Sequence, residues 1–194
     1  EFLLRKIYWR EQMNEEIIYR QLNEREIEPS LFRDFERRQV VNLCWRRMNG
    51  RWVIQKDPFV DQWSAEDYEF LIQCLRRTVK FGGVVYAAFK EGACKGFASA
   101  ERERIGESAE YVDLTSLHVS EEMRGQGIGR NLFFQIADWA SAQGAEKLYI
   151  SSHSAIETQA FYRSIGCVDA VYLHPEHVRQ EPYDCQLEYV LRRG

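Results

Sequence analysis

Proline is scarce in this chain, with four residues in 194, and neither an internal repeat nor a low-complexity tract interrupts it. With 45% hydrophobic and 29% charged residues, the composition excludes a collagen-like or largely disordered chain and leaves enough apolar material for a buried core. No run reaches the roughly 18 apolar residues that a membrane-spanning helix requires, so no membrane partner is expected. Positive charge is not in excess either. The formal net charge is -4, and the paired arginines Arg37–Arg38, Arg46–Arg47 and Arg76–Arg77 are interleaved with acids, as on solvated helix faces, so no nucleic-acid partner is expected. The five cysteines fall at irregular spacings with no CxxC pair, which excludes a thiolate metal clip or redox couple and suits free thiols in a reducing cytoplasm.

The first residues, EFLLRKIYWREQ, are basic and partly apolar but lack the small-residue cleavage site of a signal peptide. Met13 reads as a start. Residues 1–12 are therefore expected to be an extension outside a single domain spanning 13–194.

Along that domain, EEIIYRQL has the β-branched and aromatic character of a strand, and residues 23–29 turn the chain. In LFRDFERRQVVNLCW the apolar residues Leu31, Phe32, Phe35, Val40, Leu43 and Cys44 suggest a helix that Asn49 and Gly50 would stop. RWVIQKDPFVDQW reads as irregular. Ser64 with Asp67 three residues on offers a cap for a second helix with Tyr68, Leu71, Ile72, Leu75 and Val79 on one face.

Past Gly82–Gly83 the texture becomes that of strands. GVVYAAFK and KGFASAERER flank a short turn as in a hairpin, and YVDLTSLHV follows as a third strand. Ile128, Leu132, Phe133, Ile136 and Ala140 share one helical face closed by Gly144. KLYIS is a short buried strand, AIETQAFYRSIG an amphipathic helix, and VDAVYL and DCQLEYVL are two further strands. The order is strand, two helices, three strands, helix, strand, helix, two strands. That is an α/β domain built on a mixed sheet flanked by helices.

Between the third of those strands and the helix lies RGQGIGRN, residues 124–131. A strand feeding a glycine-rich turn that opens a helix makes an anion site. The first helical amides lack intrahelical acceptors, the helix dipole favours negative charge, and glycines let a ligand approach the backbone. A Walker loop would need Lys and then Ser or Thr where Arg130 and Asn131 stand. The dinucleotide fingerprint would need its third glycine at position 130, although Glu146 lies at the distance of a ribose-binding acid. A connection without a ligand would gain nothing from three glycines in five residues.

Arg124, Gly127 and Gly129 match the R/Q-x-x-G-x-G/A signature, LHV precedes the loop, and AFYRSIGC follows the next strand. In these elements and in their order the chain resembles the GNAT superfamily of N-acetyltransferases, over residues 14–191. The resemblance implies the GNAT fold, a mostly antiparallel sheet splayed between two strands. It implies acetyl-CoA as acetyl donor, with no metal. The pyrophosphate would sit on the amides of Arg124, Gly125, Gln126, Gly127, Ile128, Gly129, Arg130 and Asn131. The pantetheine arm would pair with the strand edge Leu117, His118 and Val119, across from Ser151.

The resemblance implies Tyr162 as the acid that protonates the leaving thiolate, and as base an acid on the strand before the loop, Asp113, with Glu101 and Glu103 as competitors, or ordered water as in other members. The Asn that often precedes the FYxxxGF element is missing, and Ser154 or Thr158 could supply a hydroxyl in its place. His118 and His153 are expected to line the site. His174, His177 and Cys185 lack the spacing of a metal centre and read as a loop.

In this family the acceptor pocket draws on the segment before the second helix. Here it carries Asp57, Phe59, Asp61 and Trp63, an acidic and aromatic lining that suits a cationic amine. The expected activity is acetyl transfer to a primary amine, small or peptide-terminal. A CoA-binding regulatory module without catalysis is the alternative. Apolar aromatics in the N-terminal half would serve a homodimer surface as well as a substrate pocket.

Overall fold

The computed structural model describes residues 16–192; the expected extension at 1–12 lies outside them. Seven strands form one sheet in the order β1-β4-β5-β6-β7-β9-β8, and β2 and β3 form a separate hairpin. The strands are β1 (Ile18–Gln21), β2 (Arg38–Met48), β3 (Arg51–Gln62), β4 (Val84–Lys90), β5 (Ala93–Ile105), β6 (Tyr111–Val119), β7 (Lys147–Ser152), β8 (Val168–Asp169) and β9 (Cys185–Val190). Every pairing is antiparallel except β6 with β7.

Helix α1 (Ala65–Lys80) starts at the expected capping box. The Asp67 amide donates to Ser64 Oγ at 3.2 Å, and the Ser64 amide donates to Asp67 Oδ2 at 2.7 Å. It buries Leu71, Ile72 and Leu75 on one face of the sheet, against Val85, Ala87 and Phe97. Helix α2 (Ile128–Ala142) and helix α3 (Ile156–Ser164) cover the opposite face, where Ile128, Leu132, Phe133, Ile136 and Ala140 pack on Val84, Ala98, Val112 and Leu148. The alternation of β4, with Val84 on one side and Val85 on the other, follows from the two-residue period of a strand covered on both faces.

Several expectations fail. The segment read as a first helix contributes only a 3-10 turn at Pro29–Phe32 and then β2, and the segment read as irregular is β3. Asn49 and Gly50 have φ of 49° and 79°, the doubly positive pair of a type I′ hairpin turn rather than a helix stop. Pro58 fits because the ladder breaks around it. Val41 pairs with Phe59 and Leu43 with Lys56, so Asp57 and Pro58 bulge out unpaired. Near the C-terminus, VDAVYL is strand only at Val168–Asp169, and the expected HPEH loop forms a short helix, α4 (Pro175–Gln180).

Candidate active site

A cleft of about 830 Å³ opens where β6 and β7 part. The two strands pair only at Tyr111–Lys147, Val112–Leu148 and Asp113–Tyr149. On the β5 side of β6, Ser99 faces Ser116 while Ala100 faces Leu114, which leaves Thr115 as the extra residue of a bulge. A bulge bends its strand. Residues 114–119 therefore swing away from Ile150–Ser152, and the wedge between them is the cleft.

Its first wall is a bare strand edge. The Ser120 amide donates to the Lys95 carbonyl on β5 at 2.9 Å, so the backbone groups of the alternate residues Val119 and Leu117 point the other way, into the cleft. Arg124 Nε donates to the Val119 carbonyl at 3.3 Å. Backbone groups on an open edge require partners, and an extended ligand would supply them.

The glycine loop forms the mouth. Gly125 and Gly127 have φ of 78° and 82°, and a Cβ on either would meet nothing within 4 Å. They are glycines for their left-handed backbone, with open space in front of them. Asn131 is the first amide of α2 with an intrahelical acceptor, Gly127 O at 3.0 Å, so the amides of Ile128, Gly129 and Arg130 precede the helical ladder. Gly129 sits against Val119 and Phe161, each 3.5 Å from where its Cβ would stand, an ordinary contact distance.

Hairpin β2–β3 roofs the cleft. Arg38 pairs with Glu121 at 3.0 Å beside the loop. At the other end the Trp45 amide donates to Ser154 O at 2.8 Å, and Cys44 forms a β-bridge with Ala155. β2 thus spans both arms of the splay, and Arg37, Gln39 and Val40 line the cleft from above.

At the deep end stand Tyr162 and Ser151. Burial pushes the Tyr162 phenol well above its ordinary pKa, with the charges of Cys167 and Asp184 adding to the rise. Burial also pushes Asp184 up, to about 6, against the opposing hydrogen bond that Ser151 donates.

Of the expected residues, Leu117, His118, Val119, Arg124, Gly125, Gly127, Ile128, Gly129, Arg130, Ser151, His153, Thr158 and Tyr162 line the cleft. Gln126 is exposed beside Met123, and Asn131 Nδ2 donates to the Tyr19 hydroxyl on β1 at 3.1 Å. Ser154 is buried outside the cleft and accepts from Arg46. Asp113 lies beneath the wall, with Oδ2 2.7 Å from His177 Nε2. Glu101 faces α1 and accepts from Thr78 Oγ1 at 2.6 Å, while Glu103 is exposed.

The acidic lining read from residues 52–63 is corrected. Asp57 is paired with Arg46 and Asp61 with Arg37, so both charges are balanced, and neither acid faces the cleft. The residues that sequence reasoning missed are Arg37, His177 and Asp184. The first lay in a segment assigned the wrong period, and the other two in a connection with no motif. Among the described residues no group of three or more His, Cys, Asp and Glu is placed to hold a metal ion.

The sequence matches the acetyltransferase (GNAT) family over residues 48–167. The chain belongs to this family. No curated protein matches it. Among solved structures, a Bacillus anthracis protein assigned as a streptothricin acetyltransferase, solved with acetyl-CoA, aligns over 91% of this chain and 98% of its own, with a TM-score of 0.65 and 13% identity. Nourseothricin acetyltransferase aligns over 91% and 99%, with a TM-score of 0.64 and 14% identity. A GNAT acetyltransferase from Staphylococcus aureus aligns over 91% and 100%, with a TM-score of 0.61 and 14% identity. These likenesses carry the fold, the mostly antiparallel sheet flanked by helices of GNAT acetyltransferases.

Proposed function

We propose that this GNAT protein transfers the acetyl group of acetyl-CoA to a primary amine of a small or peptide-terminal acceptor. The observation that carries the reading is the continuity of the cleft. It runs from the unladdered amides at 128–130, along the bare edge at Leu117 and Val119, to the buried phenol of Tyr162.

Those groups fit the donor one by one. The amides and Arg124 take an anionic diphosphate, the strand edge takes an amide-bearing arm, and the roof of Arg37, Gln39 and Val40 excludes water above it. Acetyl-CoA, when bound, supplies an activated thioester. Tyr162, whose burial keeps it protonated, holds the proton for the departing sulfur. The carboxylates Glu101 and Asp113 are tied to Thr78 and His177 outside the cleft, so this reading gives neither the role of base.

Calorimetric titration with acetyl-CoA, followed by thiol release with a panel of primary amines, tests the reading. Micromolar binding with thiol release dependent on one amine class is expected. Retention of CoA with no thiol release from any amine would make the chain a CoA-binding module instead.

A further inference from the structure

On the β7–β9 side of the cleft four side chains form a hydrogen-bonded chain whose direction is set by the backbone amide at its head. The His174 amide, which can only donate, gives its proton to the Tyr149 hydroxyl at 2.9 Å. Tyr149 therefore donates to Gln186 Oε1 at 2.6 Å, which turns Gln186 Nε2 toward Ser151 Oγ at 2.9 Å. With that lone pair taken, the hydroxyl proton of Ser151 points to Asp184 Oδ2, 3.1 Å away. Ser151 lines the cleft and keeps a second lone pair free, while Asp184 lies behind it.

The geometry points to Ser151 and Asp184 as the proton-accepting pair of the transfer reaction. This rests on the reading of the chain as an acetyltransferase. In the step, an N–H bond of the acceptor ammonium or amine breaks and its proton forms a new O–H bond on Ser151 Oγ. The original Ser151 O–H bond breaks, and that proton passes to Asp184 Oδ2. Nothing is oxidised, and the carboxyl later returns its proton to solvent. Ser151 would be the catalytic residue, touching the acceptor; Asp184 acts through it.

The surroundings suit the assignment. The titratable groups whose charges bear on Asp184 are the carboxyl of Glu181 and the imidazole of His177 on α4, and its own charge bears on the thiol of Cys185 and on the phenol of Tyr162 on α3. Burial and Glu181 raise its pKa, to about 6, while Ser151 and His177 hold the rise in check. A base of that strength is ionised at neutral pH and still accepts a proton readily. Ser151, which takes the proton, and Tyr162, which gives one, both line the same cleft, and the charge of Asp184 bears on Tyr162.

The test has two arms. In the first, thiol release from saturating acetyl-CoA is followed from pH 4.5 to 8.5 with the best amine of the panel, or with water where no amine reacts. Wild type should rise tenfold per pH unit below about 6 and level off above it. Asp184→Asn should lose that limb and about 10²-fold in rate at pH 7.5 with unchanged CoA affinity, and Ser151→Ala should match it while Ser151→Thr recovers.

The second arm needs no turnover. The infrared carboxyl band that fades as pH rises through about 6 should vanish in Asp184→Asn and move to higher pH in Ser151→Ala, which removes the hydrogen bond to the ionised form. A limb that survives Asp184→Asn, or that follows Asp113→Asn instead, overturns the assignment and leaves the acetyltransferase reading standing. Absence of thiol release from wild type would overturn both.

Discussion

Arg37 Nε donates to His118 Nδ1 at 3.2 Å, joining the foot of the hairpin roof to the strand that walls the cleft. Arg37 also reaches Asp61 Oδ2 at 2.6 Å, and its guanidinium lies 5.5 Å from the Trp63 ring. The arginine is 8% exposed, so its charge relies on these partners rather than on water. It fixes the His118 tautomer, with the proton on Nε2.

Among the described residues Asp61 is the one carboxylate in ion-pair range of Arg37, so Asp61→Asn leaves a buried cation with neutral acceptors. The expected loss is about 2–3 kcal/mol, below the figure for a wholly buried pair because the Asp61 side chain is 29% exposed. Urea unfolding at pH 7.5 reads it, and a shift in Trp63 emission should accompany it.

Desolvation in the cleft wall, with the charges of Arg37 and Arg124, holds His118 down to about 3 in the folded chain. The unfolded chain takes up that proton near 6.5. A depressed folded pKa contributes stability that is fully present above 6.5 and lost as pH falls toward 3. His118→Gln, which keeps an acceptor for Arg37, should flatten the fall in melting temperature across that window while wild type keeps it.

The hairpin that carries Arg37 was the part of the fold least legible in the sequence. Asn-Gly serves as a helix stop and as a type I′ turn, and Leu31, Phe32 and Phe35, which do bury their side chains, lent a helical look to the run before it. The β-branched residues on both flanks, Val40, Val41, Val53, Ile54 and Val60, were the deciding signal. The central elements, by contrast, from the helix at Ala65–Lys80 to the strand at Lys147–Ser152, buried the faces that periodicity assigned to them, whereas VDAVYL left Val168, Val171 and Leu173 exposed. The glycine loop was legible because its left-handed turns at Gly125 and Gly127 are a backbone feature that demands glycine. Asp184 was not, because only the pairing of β9 with β7 brings it to Ser151.

Gly96 and Gly127 are glycines for different reasons, and alanine should separate them. A Cβ at Gly96 would stand 2.7 Å from Ile128 Cγ2 and 3.0 Å from Leu132 Cδ1, both in the core, so Gly96→Ala should cost about 1–3 kcal/mol in urea unfolding. At Gly127 there is space but a φ of 82°, so Gly127→Ala should cost only about 1–2 kcal/mol. The larger effect at Gly127 should appear in CoA affinity, measured by calorimetry, because this residue caps α2 where the free amides begin.

Tyr162→Phe keeps the ring against Phe133 and Phe161 and removes only the hydroxyl. An acid that acts on the departing thiolate contributes after binding. Thiol release should fall about 10²-fold while the acetyl-CoA dissociation constant changes less than twofold. Equal losses in affinity and turnover would make Tyr162 a packing residue of the cleft wall.

Asp184 should also show what the proton-accepting arrangement costs in stability. Its carboxyl titrates at about 6 when folded, against about 4 for an ordinary aspartate, so the folded chain binds this proton more tightly than the unfolded one. A raised folded pKa gives a contribution that is fully present below pH 4 and is lost as pH rises through 6. Above that, the ionised group weighs against the fold by about 1–2 kcal/mol after allowance for its partial exposure. Asp184→Asn cannot ionise and keeps an oxygen for the Ser151 hydroxyl. It should therefore unfold at a higher temperature than wild type at pH 7.5 and at the same temperature at pH 4. A variant that is slower in turnover yet more stable at neutral pH would mark Asp184 as a group held for chemistry, whereas one less stable at both pH values would mark it as structural.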